Sequence, residues 1–351
     1  MIAGQRVCIV LLTGLGDVVH GLPVANALRR AGAAHITWIA EPAPAEVVRH
    51  HQSVDQVIAY HKQHGVGGVV RLAKDLSGSH FDLTLNFNTY FKSVWPTLLS
   101  RAPTRIGFDR ARSHEGVWFT VNRRLPARPR GHTQDQFLEF LAEVGVGRPD
   151  PLEWGIEFTE PERDSQHEFF QPLRRRPVIA IAVASTTVKK DWPVERYAPL
   201  IDRLTARYDA HVLLVGGPSR RESELVQTIL GSVKHKPLNT LGNDVRRMMW
   251  LVAGSDLLIA PDTGPVHIAR ARGVPVIGLY GHTNPWRVGP YRKYEDLWID
   301  RYTDGSPDPG NATPKWNRME LITVDDVAER AAIAFDNYIS SSNSSTTGKE
   351  A

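Results

Sequence analysis

The chain has 351 residues, 42% hydrophobic and 23% charged, with a formal net charge of +4 at pH 7. That composition excludes a disordered or fibrous chain, and the length suffices for two globular domains. No run approaches the roughly 18 apolar residues of a membrane span, no signal-peptide pattern precedes the first apolar run, and the single cysteine, Cys8, lies inside that run and allows no disulfide framework. A cytoplasmic protein is expected.

In chain order, strands are predicted over residues 7–12, 35–40, 54–59, 81–86, 104–107 and 117–121, with helices over 18–31, 43–50, 67–77, 91–100 and 134–144. Pro-, Glu- and Arg-rich sequence then reads as a linker at about residues 150–175. A second series follows, with strands over 178–184, 211–216, 239–241, 257–260 and 274–280 and helices over 193–208, 219–230, 245–253 and 265–272. A long helix over 323–339 precedes a Ser/Thr-rich tail, 340–351, for which disorder is expected. Alternation of this kind predicts an α/β fold of two doubly wound, mostly parallel sheets facing a central cleft. The expected domains are 1–155 and 156–322.

Two strand ends carry turns suited to an anion at a helix N-terminus: Thr13-Gly14-Leu15-Gly16-Asp17 and Asp262-Thr263-Gly264-Pro265-Val266-His267. In the first, Asp17 opens a helix with His20 one turn on; a helix cap with a neighbouring histidine is the plainer reading. In the second, Pro265 suits the first helical position, with Gly264 as the cap. Ser185-Thr186-Thr187-Val188-Lys189-Lys190 follows another strand, where hydroxyls and an ammonium suit a diphosphate, although an exposed basic loop has the same composition. Gly216-Gly217-Pro218 leads to Glu222, a candidate acceptor for ribose hydroxyls or a solvated first-turn glutamate. Eight arginines (101, 105, 110, 112, 123, 124, 128 and 130) lie near only Asp109 and Glu115. They form either a solvated basic loop or a surface for an anionic partner; no nucleic-acid motif accompanies them.

Other chemistries find less support. A dinucleotide fingerprint would need glycine where Val19 stands, although Glu41 sits where an acidic ribose ligand would be. There is no D-x-D pair, no metal-ligand spacing, no G-x-S-x-G and no Walker motif. No metal or other cofactor is expected.

Taken together, Gly14-Leu15-Gly16-Asp17-Val18-Val19-His20-Gly21-Leu22-Pro23, the 186–193 segment, 262–267, Tyr280-Gly281-His282-Thr283-Asn284-Pro285 and Gly289-Pro290 resemble glycosyltransferase family 9, the ADP-heptose:lipopolysaccharide heptosyltransferases. The resemblance spans nearly the whole chain. It implies a GT-B fold of two Rossmann-like domains, with the final helix returning to the first, and metal-independent, inverting transfer of heptose from ADP-heptose to a lipopolysaccharide inner-core acceptor of Kdo–lipid A type. It implies Asp17 as general base. Thr186, Thr187, Lys190, Glu222, Asp262, Thr263, Gly264 and His267 would lie on the donor side, and Gly14, Gly16, His20, Lys92 and Arg123 on the acceptor side. An anionic glycolipid acceptor and peripheral contact with the cytoplasmic face of the inner membrane are the implied partners, with no role for nucleic acid. One segment departs from the family pattern: Asn86-Phe87-Asn88-Thr89 precedes Lys92-Ser93 where Asp-Leu-Gln-Gly is usual, which leaves the acceptor open. Another donor or acceptor, a sugar-nucleotide epimerase or hydrolase, and a non-catalytic nucleotide-binding module are the alternatives.

Overall fold

A computed structural model describes residues 2–303 and 307–339 and divides into two compact units, the first ending at Glu157 and the second beginning at Phe158. The first contains β1 (Arg6–Val10), α1 (Leu15–Arg30), β2 (His35–Ala40), α2 (Pro42–Val48), β3 (Gln56–Ala59), α3 (Gly65–Asp75), β4 (Leu83–Asn86), α4 (Val94–Leu99), β5 (Thr104–Gly107), β6 (Arg123–Arg124) and α5 (Thr133–Glu143). The second contains α6 (Glu160–Phe170), β7 (Val178–Ala182), α7 (Tyr197–Tyr208), β8 (His211–Val215), α8 (Arg220–Ser232), β9 (Leu238–Asn239), α9 (Val245–Gly254), β10 (Leu257–Pro261), α10 (Gly264–Arg272), β11 (Val276–Tyr280), α11 (Pro285–Val288), β12 (Ile299–Asp300) and α12 (Val324–Ala334).

Each unit holds a six-stranded parallel sheet, ordered β3-β2-β1-β4-β5-β6 in the first and β12-β11-β10-β7-β8-β9 in the second. Strands β7, β10 and β11 are buried along their whole length, the consequence of covering both faces of a parallel sheet with helices. The chain reverses its direction of travel across the sheet beside β1, which lies between β2 and β4, and again beside β7, which lies between β10 and β8. Ligands of open α/β sheets bind at the carboxyl ends of strands at such reversals.

Three expectations need correction. The apolar run 117–121 is not a strand: Gly116 enters it in the left-handed region (φ 79°), a 3₁₀ turn covers Val117–Phe119, and the sixth strand is the short β6. The linker region contains α6. Thr159 and Glu162 close a capping box at its start, and Arg246 of α9 binds both Glu162 oxygens at 2.7 and 2.6 Å. Thr263 rather than Gly264 precedes the first turn of α10. Within the second unit, α12 packs on α7 and beside β11, and Phe335, in the π-turn that follows it, stacks on Tyr208 at 3.7 Å. The tail 340–351 lies outside the described residues. Among the described residues, no helix is long and apolar enough to cross a membrane.

Part of the arginine-rich segment is spent on architecture. Arg112 is buried, with Nε donating to Asp109 at 2.5 Å and its guanidinium holding Glu139 of α5 at 2.8 and 2.9 Å. Arg105 donates to the Thr120 and Ala102 carbonyls at 2.9 and 2.7 Å. Breaking a buried ion pair strands its partners. Arg112→Ala is therefore expected to destabilise the first unit by about 3–5 kcal/mol, read as an earlier first transition in urea unfolding followed by circular dichroism. In the second unit, hydrogen bonds from Arg246 lower the Glu162 carboxyl to about 2. That contribution is present above the unfolded carboxylate range and is lost as pH falls through about 2. Glu162→Gln should flatten the acid limb of the second unit's stability profile.

Candidate active site

The first reversal of strand order has a built edge. After β1 the chain turns at Gly14, whose φ of +82° demands glycine. A Cβ there would also stand 2.6 Å from Asp17 Oδ2, so the missing side chain makes room for that carboxylate. Asp17 is exposed in the first turn of α1, where a negative charge is favoured, and Gly16 beside it is buried. From the other side of the reversal, beyond β4, Lys92 Nζ donates to Thr13 Oγ1. Burial pulls the Lys92 ammonium below the usual lysine range; the carboxylates of Glu41, Asp17 and Glu115 oppose this, while Lys62 adds to it.

Asn86 and Asn88, the departures from the family pattern, join the two strand ends. Leu12 N–H donates to Asn88 Oδ1 at 3.1 Å, Asn88 Nδ2 donates to the Val10 carbonyl at 2.8 Å, and Asn86 Nδ2 donates to Ser93 Oγ at 3.2 Å. Both asparagines are buried, so they support the turn that carries Lys92. The close helix–sheet approach that a dinucleotide fingerprint makes at its third glycine is made here by Gly21: a Cβ there would lie 2.7 Å from the Trp38 ring, while Val19 is buried beside it. Glu41 pairs with Lys62 at 2.7 Å.

His20 is buried under this edge. Its Nδ1 lies 3.1 Å from Gln134 Oε1, and Gln134 Nε2 returns a bond to the His20 carbonyl at 2.8 Å. Gln134 N–H in turn donates to His132 Nδ1 at 3.1 Å, so the start of α5 is locked to α1. Arg123 has a different setting: Nε meets Glu143 Oε1 at 2.6 Å and Nη2 meets the Glu143 carbonyl at 2.9 Å, tying β6 to the end of α5.

The second reversal is spanned by an ion pair. Lys190, in the loop after β7, donates through Nζ to Asp262 Oδ2 at 2.6 Å, at the end of β10. Burial works to raise the Asp262 carboxyl, but Lys190, His267 and Thr283 together hold it below the usual carboxylate range. Burial lowers the His267 imidazole to about 4 against the pull of Asp262, leaving the ring neutral at pH 7. The same loop is braced from α8, where Arg221 donates to the Asp191 carboxylate and the Ser185 carbonyl while Asp191 accepts from Ser185 N–H at 2.8 Å. Ser185 Oγ donates to the Thr187 carbonyl at 2.8 Å. Thr186 and Thr187 thus lie on a loop with a fixed course. Glu222 folds over Gly216 and Gly217, accepting from Gly217 N–H at 2.8 Å and from Ser219 Oγ at 2.6 Å. Thr263 has extended backbone immediately before Gly264 and the start of α10.

The structure thus brings Gly14, Gly16, Asp17, His20 and Lys92 to one strand edge, and Thr186, Thr187, Lys190, Asp262, Thr263, Gly264 and His267 to another. Two supporting residues, Arg221 and Gln134, escape a reading by motif.

The chain matches the model of glycosyltransferase family 9 (heptosyltransferase) over residues 69–304. It is 31% identical over 297 residues to the lipopolysaccharide core heptosyltransferase OpsX of Haemophilus influenzae, a match spanning 84% of each chain. The protein belongs to glycosyltransferase family 9 and is a glycosyltransferase. Its fold is the two-domain α/β GT-B fold. A glycosyl transferase family 9 structure from Veillonella parvula superposes with a TM-score of 0.79 at 24% identity, covering 94% of this chain and 97% of that one. The heptosyltransferase WaaC of E. coli with ADP-2-deoxy-2-fluoro heptose gives 0.72 at 20% identity, covering 93% and 99%.

His267 should remain neutral at pH 6 and titrate near 4 when followed by NMR of the imidazole ring. Asp262→Asn is expected to lower that value further, because it removes the carboxylate that favours the protonated ring.

Proposed function

We propose that this glycosyltransferase transfers heptose from ADP-heptose, with inversion and without a metal, to a lipopolysaccharide inner-core hydroxyl of Kdo–lipid A type. The observation that carries the reading is the pair of strand edges: an exposed carboxylate beside a half-buried lysine in one unit, and a lysine at a helix start in the other. The names of the similar proteins supply the sugar, the nucleotide and the acceptor class.

In this mechanism the acceptor hydroxyl oxygen attacks the anomeric carbon as the bond from that carbon to the diphosphate oxygen breaks. The electron pair leaves with ADP. Asp17 takes the hydroxyl proton, and a carboxylate suffices because the hydroxyl becomes acidic only as the new bond forms. Lys190 meets the charge growing on the leaving diphosphate, with Thr186, Thr187, Thr263 and the Gly264 N–H at the start of α10 as donors. Asp262 holds Lys190 in place before the donor binds and is not itself a base. Glu222 would take the ribose hydroxyls, while Lys92 would face an anionic acceptor group. Arg123, committed to Glu143, has a structural part in this scheme. The acceptor places the enzyme at the cytoplasmic face of the inner membrane.

The test is transfer from ADP-heptose to de-acylated Kdo–lipid A. Asp17→Asn should lower kcat by roughly 10²–10⁴ with ADP affinity unchanged in calorimetry. Lys190→Met should weaken ADP binding by roughly tenfold to a hundredfold, the loss of about 1.5–3 kcal/mol for a charged hydrogen bond. Absence of transfer by the wild-type enzyme overturns the donor–acceptor assignment, and full activity in Asp17→Asn overturns the base.

A further inference from the structure

The segment that carries Lys92 has a second side. Lys92 and Ser93 are turned toward the ends of β1 and β4, through Thr13 and Asn86. Phe91, Trp95 and Leu98, spaced four and three residues apart through the same 3₁₀ turn and α4, are exposed, as is Tyr90 before them. Helix α3 packs against α4. Its inward residues Leu72 and Leu76 join Leu99 in the core around Tyr60 and Phe81, while Val66 and Val70, one turn apart, are 80% and 63% exposed. Two packed helices and the turn leading into α4 therefore leave six large apolar side chains in water, more than the scattered exposure expected of a protein surface. Arg71 and Lys74 on α3 and Arg101 just beyond α4 are also exposed, against Asp75, which pairs with Arg71 at 4.0 Å, and Glu115, which accepts from Phe91 N–H at 3.0 Å.

We infer that the outer face of α3 and α4 docks on an anionic lipid bilayer and so brings the Asp17–Lys92 edge to an acceptor held in that membrane. The second clause rests on the function proposed above; the first does not. Tryptophan, tyrosine and phenylalanine beside aliphatic residues suit the headgroup–acyl boundary, and the basic residues beside them suit anionic headgroups. Charge argues against a second copy of the chain as the occupant. A two-fold contact through this face would bring two copies of the same net-positive patch together.

The experiment is flotation of the full chain with vesicles of phosphatidylethanolamine and phosphatidylglycerol, which contain no acceptor. The wild-type chain is expected to float with them, less so at raised salt or with phosphatidylcholine alone. Trp95→Ser/Leu98→Ser should cut partitioning by roughly tenfold or more while the circular dichroism spectrum, the check on folding, stays unchanged. Trp95→Phe should still partition but lose part of the fluorescence quenching caused by acyl-brominated lipid. Transfer to the soluble de-acylated acceptor should be unaffected in Trp95→Ser/Leu98→Ser, whereas transfer to vesicle-embedded acceptor should fall. The inference is overturned if the wild type does not float, if the double variant floats equally well, or if sedimentation velocity shows a dimer that the double variant dissociates. Failure of transfer with vesicle binding intact would count against the proposed reaction and leave the docking face standing.

Discussion

In both units a lysine spans the place where the order of strands reverses. Lys190, after β7, is held by Asp262 at the end of β10, and Lys92, after β4, is held by Thr13 beyond β1. A parallel sheet leaves a crevice at such a reversal because successive connections run to opposite sides of it. Without a cation across it, each crevice would be a gap between two loops. With one, the loops acquire a fixed separation and the edge a positive charge.

The Lys190–Asp262 pair is suited to exchange rather than to permanent stability. A buried ion pair recovers its desolvation cost only with good geometry and additional hydrogen bonds. Here Asp262 has that support from the Thr283 side chain, while the lysine keeps an open side at about a quarter of its side-chain exposure. On the proposed reaction, a diphosphate arriving at the loop would meet an ammonium already in position. The neutral His267 adds no competing charge. Arg221, bound to Asp191 and the Ser185 carbonyl, fixes the remainder of the loop, so little ordering is left for ligand binding to impose.

On the proposed reaction, the first unit has a different task, which is to present the Asp17 carboxylate. Gly14 turns the chain and leaves space for the Asp17 side chain, and Gly21 seats α1 on Trp38. Gln134 clamps His20 from α5, one turn further along α1. Asn86 and Asn88, which depart from the family's usual residues, supply amides that hydrogen-bond in both directions, and at position 86 the amide stands where a carboxylate would have been buried with charge. They keep the Lys92 turn in register without bringing a negative charge to it.

Much of this was legible in the chain itself. Apolar runs at parallel-strand length, alternating with helical periodicity, determined two doubly wound domains, because burial on both faces of a sheet leaves a continuous hydrophobic signature. Turns with glycine at strand ends located Asp17 and the 262–267 segment, because such turns restrict which residues they accept. What the sequence could not decide depends on contacts distant along the chain. Helix α6 has a local capping box in a segment that reads as linker, but its anchor, the bond from Arg246, 84 residues away, to Glu162, is invisible in the sequence. The arginines of 101–130 look like one charged surface, yet Arg112 and Arg123 are paired with Glu139 and Glu143. Composition records the presence of a charge, whereas its availability depends on which opposite charge the fold places beside it; that placement belongs to the tertiary structure alone.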